Sequence, residues 1–475
     1  MNAHLIDGEE RPSEKGETFT TINPATDEEL DTVALGGEAD INAAVDAATR
    51  AGHIWRQVPA AERAALLRRL ADLIRASAAE IATLEARDSG RPISDCRDDV
   101  TICADLLDYY ATLPQNIRGV TYAEQPGHLT HSRREPYGVV AAIAPWNFPF
   151  FFAVTKTAPA LATGNTVVLK MAEQTPLTSI LYGKLCLEAG FPPGVVNIVN
   201  GDGRTGALLA AHPGVKKITF TGSTAVGRSI KQSSTGSCHL ELGGKTANIV
   251  TKNAELVAAA HASVHHAFFN AGQVCTAGSR LLLDEEIAEQ FMELFLRATA
   301  GIVVGDPLAP ATQVGTLISR QHRVRVQEHL SRAVDEGASI IAGGNPSAVG
   351  AFLEPTVLDN VVPGMAAAQE EIFGPVVSVM RFRTIDDAVR IANGTPYGLA
   401  ATVWTDRLAE ALELTDRLDA GIVWTNCPYR DHAYVPYEGH GQSGQGEEGG
   451  LETITEFTQL KVAYFGSPST PWTLP

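Results

Sequence analysis

Lys216-Lys217-Ile218-Thr219-Phe220-Thr221-Gly222-Ser223-Thr224-Ala225-Val226-Gly227-Arg228 reads as a strand, a glycine turn and the start of a helix. Backbone amides at such a helix N-terminus suit a pyrophosphate. The spacing is GxxxxG rather than GxGxxG, so the usual dinucleotide fingerprint is not met. By itself the turn fits a phosphate or a purely structural connection. The same strand-then-helix rhythm extends to both sides. Val139 to Ala144, Thr166 to Leu169 and Val195 to Val199 read as strands, with helical stretches such as Pro176 to Ala189 between them. After residue 275 the rhythm restarts with a strand over Arg280 to Leu283 and a helix from Glu285 to about Ala298. Further strand-like runs are Ser339 to Ala342, Val376 to Phe382, Leu399 to Trp404 and Ile422 to Thr425. This alternation predicts an α/β fold, two domains with mostly parallel sheets covered by helices.

Other segments frame those domains. Leu66, Leu70, Leu73, Ile74, Ile81 and Leu84 recur at helical steps, which predicts one long helix over 60–88 ended by Gly90 and Pro92. The stretch 121–135 breaks the α/β rhythm and reads as two short strands around Pro126-Gly127. Glu456 to Tyr464 reads as a terminal strand that pairs with it or with a partner subunit.

The 475 residues exceed one simple core, so two or three domains are expected. Composition is globular, with 44% hydrophobic and 19% charged residues and mean hydropathy near zero. A net charge of -18 argues against nucleic acid or an anionic membrane as partner. The first residues lack a basic segment followed by an apolar run, and no apolar run is long enough to span a bilayer. The six cysteines (Cys96, Cys103, Cys186, Cys238, Cys275 and Cys427) are scattered, without a CxxC pair. A reduced, cytoplasmic setting is expected. No metal-ligand motif stands out.

Val167-Val168-Leu169-Lys170 ends a strand where open α/β sheets bind ligands, and Glu173 follows. Such a lysine and carboxylate suit a ribose diol, and the carboxylate repels a 2′-phosphate, favouring NAD over NADP. Glu173 also fits an exposed acid at a helix start.

Chemistry enters with Cys275, in Phe268-Phe269-Asn270-Ala271-Gly272-Gln273-Val274-Cys275-Thr276. A lone cysteine is more often a small buried hydrophobe than a nucleophile. Glu241 in Leu240-Glu241-Leu242-Gly243-Gly244-Lys245 and Asn147 in Pro145-Trp146-Asn147-Phe148-Pro149 supply what a thiol would need. A thiolate adds to an aldehyde carbonyl, an amide donor stabilises the oxyanion, hydride departs, and a base activates water against the thioester. Cys275, Asn147 and Glu241 match nucleophile, oxyanion donor and general base. Asn147 also fits a turn, and Glu241 a salt-bridged strand end.

The chain resembles the aldehyde dehydrogenase superfamily, of the NAD-dependent, non-acylating kind, over nearly its whole length. The similar motifs are PWNFP at 145–149, VVLKMAEQTP at 167–176, FTGSTAVGR at 220–228, LELGGK at 240–245, GQVCTAGSR at 272–280, EEIFGPVV at 370–377 and NGTPYGLAATVWT at 393–405. The resemblance implies Cys275 as nucleophile, Glu241 as base, and Asn147 with the Cys275 amide as oxyanion donors. It places Lys170 and Glu173 on the adenosine ribose, and Gly222, Ser223 and Gly227 on the pyrophosphate with Trp146 and Gly243 nearby. Glu371 is expected on the nicotinamide ribose and Phe373 beside the ring. Lys170 is further expected near the water path, and Glu448 at a secondary acid position. It implies a Rossmann-like cofactor domain over 1–118 and 137–243, and a catalytic domain over 244–440. Residues 119–136 and 441–475 would form an oligomerisation hairpin and C-terminal segment, giving a homodimer or homotetramer.

The chain departs from the family near its C-terminal loop. Gly441 stands where Lys or Arg is common, and Glu438 where Gly is common. Phe151, Phe152 and Tyr437 are candidate aromatic walls, and Arg430 or His432 a candidate grip on a substrate carboxylate. Arg430 fits a surface residue equally well. The expected substrate is a polar or aromatic aldehyde or a semialdehyde. Three rivals are a coenzyme A-acylating semialdehyde dehydrogenase, a cysteine hydrolase and a non-catalytic protein of this fold. Glu241 favours water over coenzyme A. A hydrolase would want a histidine base, and His265 and His266 lie one helix away from Cys275.

Overall fold

The structure, a computed structural model, describes residues 2–123, 128–429 and 432–466. Two sheets dominate. The first has eight strands in the order Glu9–Arg11, His4–Ile6, Val196–Ile198, Thr166–Met171, Val139–Ala144, Lys217–Thr221, Ser237–Glu241 and Gly444–Gln445. Its five central strands are parallel, and antiparallel strands close both edges. Val139–Ala144 and Thr166–Met171 are buried at every position. That is why they read as unbroken apolar runs rather than alternating ones.

The second sheet has seven strands in the order Ser339–Ala342, Thr356–Asp359, Val376–Phe382, Arg280–Asp284, Ala247–Val250, Ala400–Trp404 and Ile422–Thr425. All its pairings are parallel except that of Ser339–Ala342. The chain passes from the first sheet to the second through Leu242-Gly243-Gly244-Lys245-Thr246. The terminal strand Thr458–Gly466 pairs antiparallel with His128–Pro136, which also pairs with Val120–Tyr122. The two distant strand-like stretches thus pair with each other within one chain.

The long helix expected over 60–88 is two helices, Ala60–Ala76 and Ala78–Ser89. Ser77 at φ −97° and ψ 11° turns the axis between them. Leu67, Leu70 and Ile74 bury one face and Ile81, Ala82 and Ala86 the next, so the apolar spacing runs on across the break. Gly90 ends the second helix at φ +77°, where a Cβ would sit 1.9 Å from the Thr316 hydroxyl. Among the described residues no helix is long and apolar enough to cross a membrane.

Candidate functional site

The first sheet delivers Glu241 at the C-terminal end of Ser237–Glu241, and the second receives Cys275 just ahead of Arg280–Asp284. The linker brings the two together. A Cβ on Gly244 would lie 2.2 Å from the Cys275 carbonyl oxygen, so only glycine allows this approach. Ahead of Cys275, Asn270, Ala271 and Gly272 adopt φ of 49°, 53° and 69°. Ala271 is strained there by about 1–3 kcal/mol, and Asn270 helps hold the turn. Its side-chain amide donates to the Asn147 carbonyl at 2.9 Å and to the Gln273 carbonyl at 3.3 Å.

Asn147 lies on the same carbonyl. Its Nδ2 donates to the Gln273 oxygen at 2.9 Å, leaving its second N–H for another acceptor. Its Oδ1 is buried without a hydrogen-bond partner among the described residues. The turn holding Asn147 is supported from behind, where Glu85 accepts from the Phe150 amide at 2.9 Å. Arg91, paired with Glu85 and Asp99, lies 4.2 Å from the centre of the Phe148 ring.

Cys275 is partly buried, with its sulfur 3.6 Å from the Tyr437 hydroxyl. Burial pushes its thiol up to about 12, the Tyr437 hydroxyl opposes that rise, and the carboxylates of Glu371 and Glu241 add to it. Glu241 is buried, with Oε1 making no hydrogen bond among the described residues. Burial raises its carboxyl well above the usual range; Lys156 opposes the rise and Glu448, Glu438 and Glu456 reinforce it. Its backbone carbonyl accepts from the Gly222 amide at 3.0 Å, tying the carboxylate to the glycine turn.

The lysine that meets Glu448 is Lys156. Lys156 is fully buried in the helix Pro149–Ala162, 2.7 Å from Glu448. Lys170 instead lies 3.7 Å from Glu173, with burial drawing its pKa down. Tyr437 and Glu448 exchange backbone hydrogen bonds of 2.7 and 2.8 Å. That pairing sets the tyrosine hydroxyl on the sulfur and the carboxylate on Lys156. His239, Glu241 and Glu448 place possible ligand atoms within 4.8 Å of one another. The Lys156 ammonium already gives this group its positive charge.

The candidate cofactor residues also converge. Ser223 caps the helix Thr224–Ser233, its hydroxyl accepting from the Val226 amide. Thr221 Oγ1 beside the turn is buried and has no hydrogen-bond partner among the described residues. Gly227 packs so closely on Leu242 that a Cβ would meet it at 2.4 Å. Glu371 accepts from the Gly244 amide at 3.0 Å, and a Cβ on Gly243 would lie 2.5 Å from its Oε2. Burial pushes the Glu371 carboxyl up to about 7, against the pull of the Gly244 amide and Lys245. Trp146 meets Phe373 edge-on at 5.3 Å. Phe373 holds φ +56°, and His322 Nε2 donates to its carbonyl at 2.7 Å. A helix N-terminus, a buried hydroxyl without a partner among the described residues, and two separate carboxylates, Glu173 and Glu371, fit a nicotinamide dinucleotide with its two riboses.

The aromatic residues form one connected group. Phe148 contacts Phe151, Phe152 and Phe269, and Phe269 contacts Tyr429. Arg430 lies outside the described residues. His266 is a structural residue. Its Nε2 donates to the Thr276 carbonyl at 2.9 Å, and burial pushes its pKa down to about 3. His265 meets the Phe269 ring at a tilt and the Tyr429 ring edge-on. Lys156, His239 and Tyr429 escaped the sequence reading. Lys156 carried one signal, as the only charged residue in an otherwise apolar helix.

A family model described as the aldehyde dehydrogenase family matches residues 11–463. The retinal dehydrogenase 2 of Mus musculus is 41% identical over 468 residues, covering 96% of this chain and 90% of its own length. The hydroxyisobutyraldehyde dehydrogenase of Mycolicibacterium austroafricanum is 41% identical over 463 residues, covering 96% and 92%. Among solved structures, an NAD-dependent aldehyde dehydrogenase from Sinorhizobium meliloti superposes with a TM-score of 0.97 at 37% identity, over 100% of this chain and 96% of that one. The P. syringae indole-3-acetaldehyde dehydrogenase, solved with NAD+, gives 0.96 at 39% identity, over 98% and 97%. With nearly every residue matched in sequence and in fold, the chain belongs to the aldehyde dehydrogenase family.

Proposed function

We propose that this protein oxidises an aromatic aldehyde to its carboxylic acid with NAD+, by way of a thioester on Cys275. The observation that carries the reading is the shared carbonyl of Gln273, two residues before Cys275, on which the Asn147 amide is anchored with one N–H to spare. Cys275 releases its thiol proton to solvent as its sulfur adds to the carbonyl carbon, and Asn147 with the Cys275 amide takes the oxyanion. When bound, NAD+ accepts the hydride that leaves this carbon. Glu241 then draws a proton from water as the water attacks the thioester, releasing the acid and returning the thiol. Lys156 and Glu448 hold charge next to that base. Lys170, Glu173, Glu371, Phe373 and the turn at Gly222, Ser223 and Gly227 hold the dinucleotide, with Trp146 and Gly243 beside it.

Two features support an aromatic substrate. The ring cluster starts one residue from Asn147, and Tyr437 stands on the sulfur. The relatives named above include an enzyme of indole-3-acetaldehyde, an aromatic aldehyde. NADH formation from phenylacetaldehyde, propionaldehyde and succinic semialdehyde tests the reading. Burial of a ring should raise kcat/KM for phenylacetaldehyde over propionaldehyde about tenfold or more. Equal values, or a preference for the semialdehyde, would overturn the aromatic assignment. The Glu173 carboxylate should make NADP+ the poorer acceptor. Asn147→Ala should lower kcat about 10²–10³-fold with little change in NAD+ affinity, the cost of one oxyanion donor. A loss under threefold would show that the oxyanion lies elsewhere.

A homo-oligomer is part of the proposal. Val120, Tyr122, Leu460, Val462 and Tyr464 are exposed on one face of the three-stranded sheet, an apolar patch suited to a second copy. Light scattering on the purified protein reads the assembly directly.

A further inference from the structure

Resting on the reading of Glu241 as general base, we propose that His239 is its positioning residue. Its Nε2–H holds the Glu241 carboxylate at the strand end and keeps it ionised. Residues two apart on a strand share a face, so His239 and Glu241 project together from Ser237–Glu241. His239 Nε2 lies 3.5 Å from Glu241 Oε1. Both atoms are buried and neither makes a hydrogen bond among the described residues, so at 3.5 Å a donor and an acceptor face each other with only a small closing movement between them and a hydrogen bond.

The tautomer follows from the neighbours. Thr219 stands directly across the parallel ladder from His239, and its hydroxyl lies 3.2 Å from Nδ1. A hydroxyl can donate to Nδ1, whereas a carboxylate can only accept. The ring proton therefore belongs on Nε2, facing Glu241. The ring stays neutral, because burial lowers its pKa far below the usual value and Lys156 and Lys217 add to that. The C-terminal loop closes over it. A Cβ on Gly446, at φ +93°, would lie 2.8 Å from His239 Cδ2.

A neutral donor answers a specific problem at this base. Glu241 faces Lys156 as its cation but also Glu438, Glu448 and Glu456. Lys156 is already engaged by Glu448, and Lys217 by Glu456 at 2.6 Å. A donor that brings no charge stabilises the ionised Glu241 without drawing those carboxylates closer.

The test compares His239→Ala, His239→Gln, Thr219→Val and Glu241→Gln in the full-length enzyme with NAD+ and phenylacetaldehyde, or whichever aldehyde the wild type oxidises fastest. The readouts are the pH profile of kcat and the pre-steady-state course of NADH. Losing a hydrogen bond to a charged group should move the acid limb of kcat in His239→Ala upward by about one pH unit. Below that limb an NADH burst should precede slow turnover, with KM for the aldehyde within about twofold. Gln, whose amide reaches the Nε2 position, should return the limb most of the way. Thr219→Val keeps the volume and should shift the limb the same way by less; it stands in if His239→Ala does not fold. An unshifted limb, or equal shifts in Ala and Gln, overturns the positioning role. Glu241→Gln separates the two readings. If it hydrolyses the thioester at the wild-type rate, Glu241 is not the base and both fail. If it cannot, an unshifted His239→Ala overturns the His239 role alone.

Discussion

Cys275→Ala should lose turnover with every aldehyde, kcat falling about 10⁴-fold or more. NAD+ affinity should stay within about threefold, since dinucleotide binding is assigned to other residues. The effect is large because nothing else in the site substitutes for the sulfur. Asn147 and Glu241 act on species that exist only after the sulfur has bonded to carbon. Stability should change little, because Cys275 is only partly buried as a residue and the change removes a single atom. The thiol carries a pH signature as well. Its pKa is pushed up to about 12 by burial. In the cofactor-free enzyme the thiolate fraction, and with it the rate of Cys275 alkylation by iodoacetamide, should rise about tenfold per pH unit from 7 to 9 without levelling. Peptide mass spectrometry after timed labelling measures it. A plateau below pH 8 would mean that the resting enzyme already holds a thiolate. A Cys275→Ala variant keeping a tenth of wild-type turnover would remove the thioester route altogether.

Much of the fold was legible because parallel strands are buried on both faces. Val139–Ala144 and Val376–Phe382, parallel and buried at nearly every position, begin and end where their apolar runs do. What escaped was local geometry that side-chain spacing does not encode. The axis turns at Ser77 while Leu70, Ile74 and Ile81 keep their helical steps. The helices Glu38–Trp55 and Ile93–Tyr110 went unread because alanines and acids break up their apolar spacing. The site divides in the same way. Residue types named Cys275, Asn147 and Glu241 as candidates, and the strand period of two could have named His239. The partners of those groups were out of reach, since Glu448 meets Lys156 across 292 positions of chain. The Tyr437–Glu448 pairing joins two loops that no periodicity connects.

Glu241→Gln should stop the cycle after oxidation rather than before it. The amide keeps the shape of the carboxylate but cannot take a proton from water, so kcat should fall about 10²–10⁴-fold. The hydride step does not use this base, so each active site should still form one NADH in a burst. The acyl group should then remain on Cys275 as a mass increment. A variant with neither burst nor adduct would place Glu241 in thiol activation, and one above a tenth of wild-type turnover would remove it from the chemistry. Wild-type enzyme that made acyl-coenzyme A in place of acid on addition of coenzyme A would favour the acylating rival. Stability should move in the opposite direction from activity. Burial and the nearby Glu448, Glu438 and Glu456 raise the Glu241 carboxyl well above its ordinary value of 4.5. The folded state therefore binds a proton more tightly than the unfolded chain. Ionising Glu241 costs stability as pH climbs from 4.5 towards the raised value, and the full cost is present above it. Glutamine has no such cost. The Tm of Glu241→Gln relative to wild type should thus increase with pH across that range and vanish below about pH 4, where both side chains are neutral. A variant more stable than its parent and unable to release its product is what a buried base under electrostatic strain predicts; one that is less stable at every pH would mean that the carboxylate is held there for the fold.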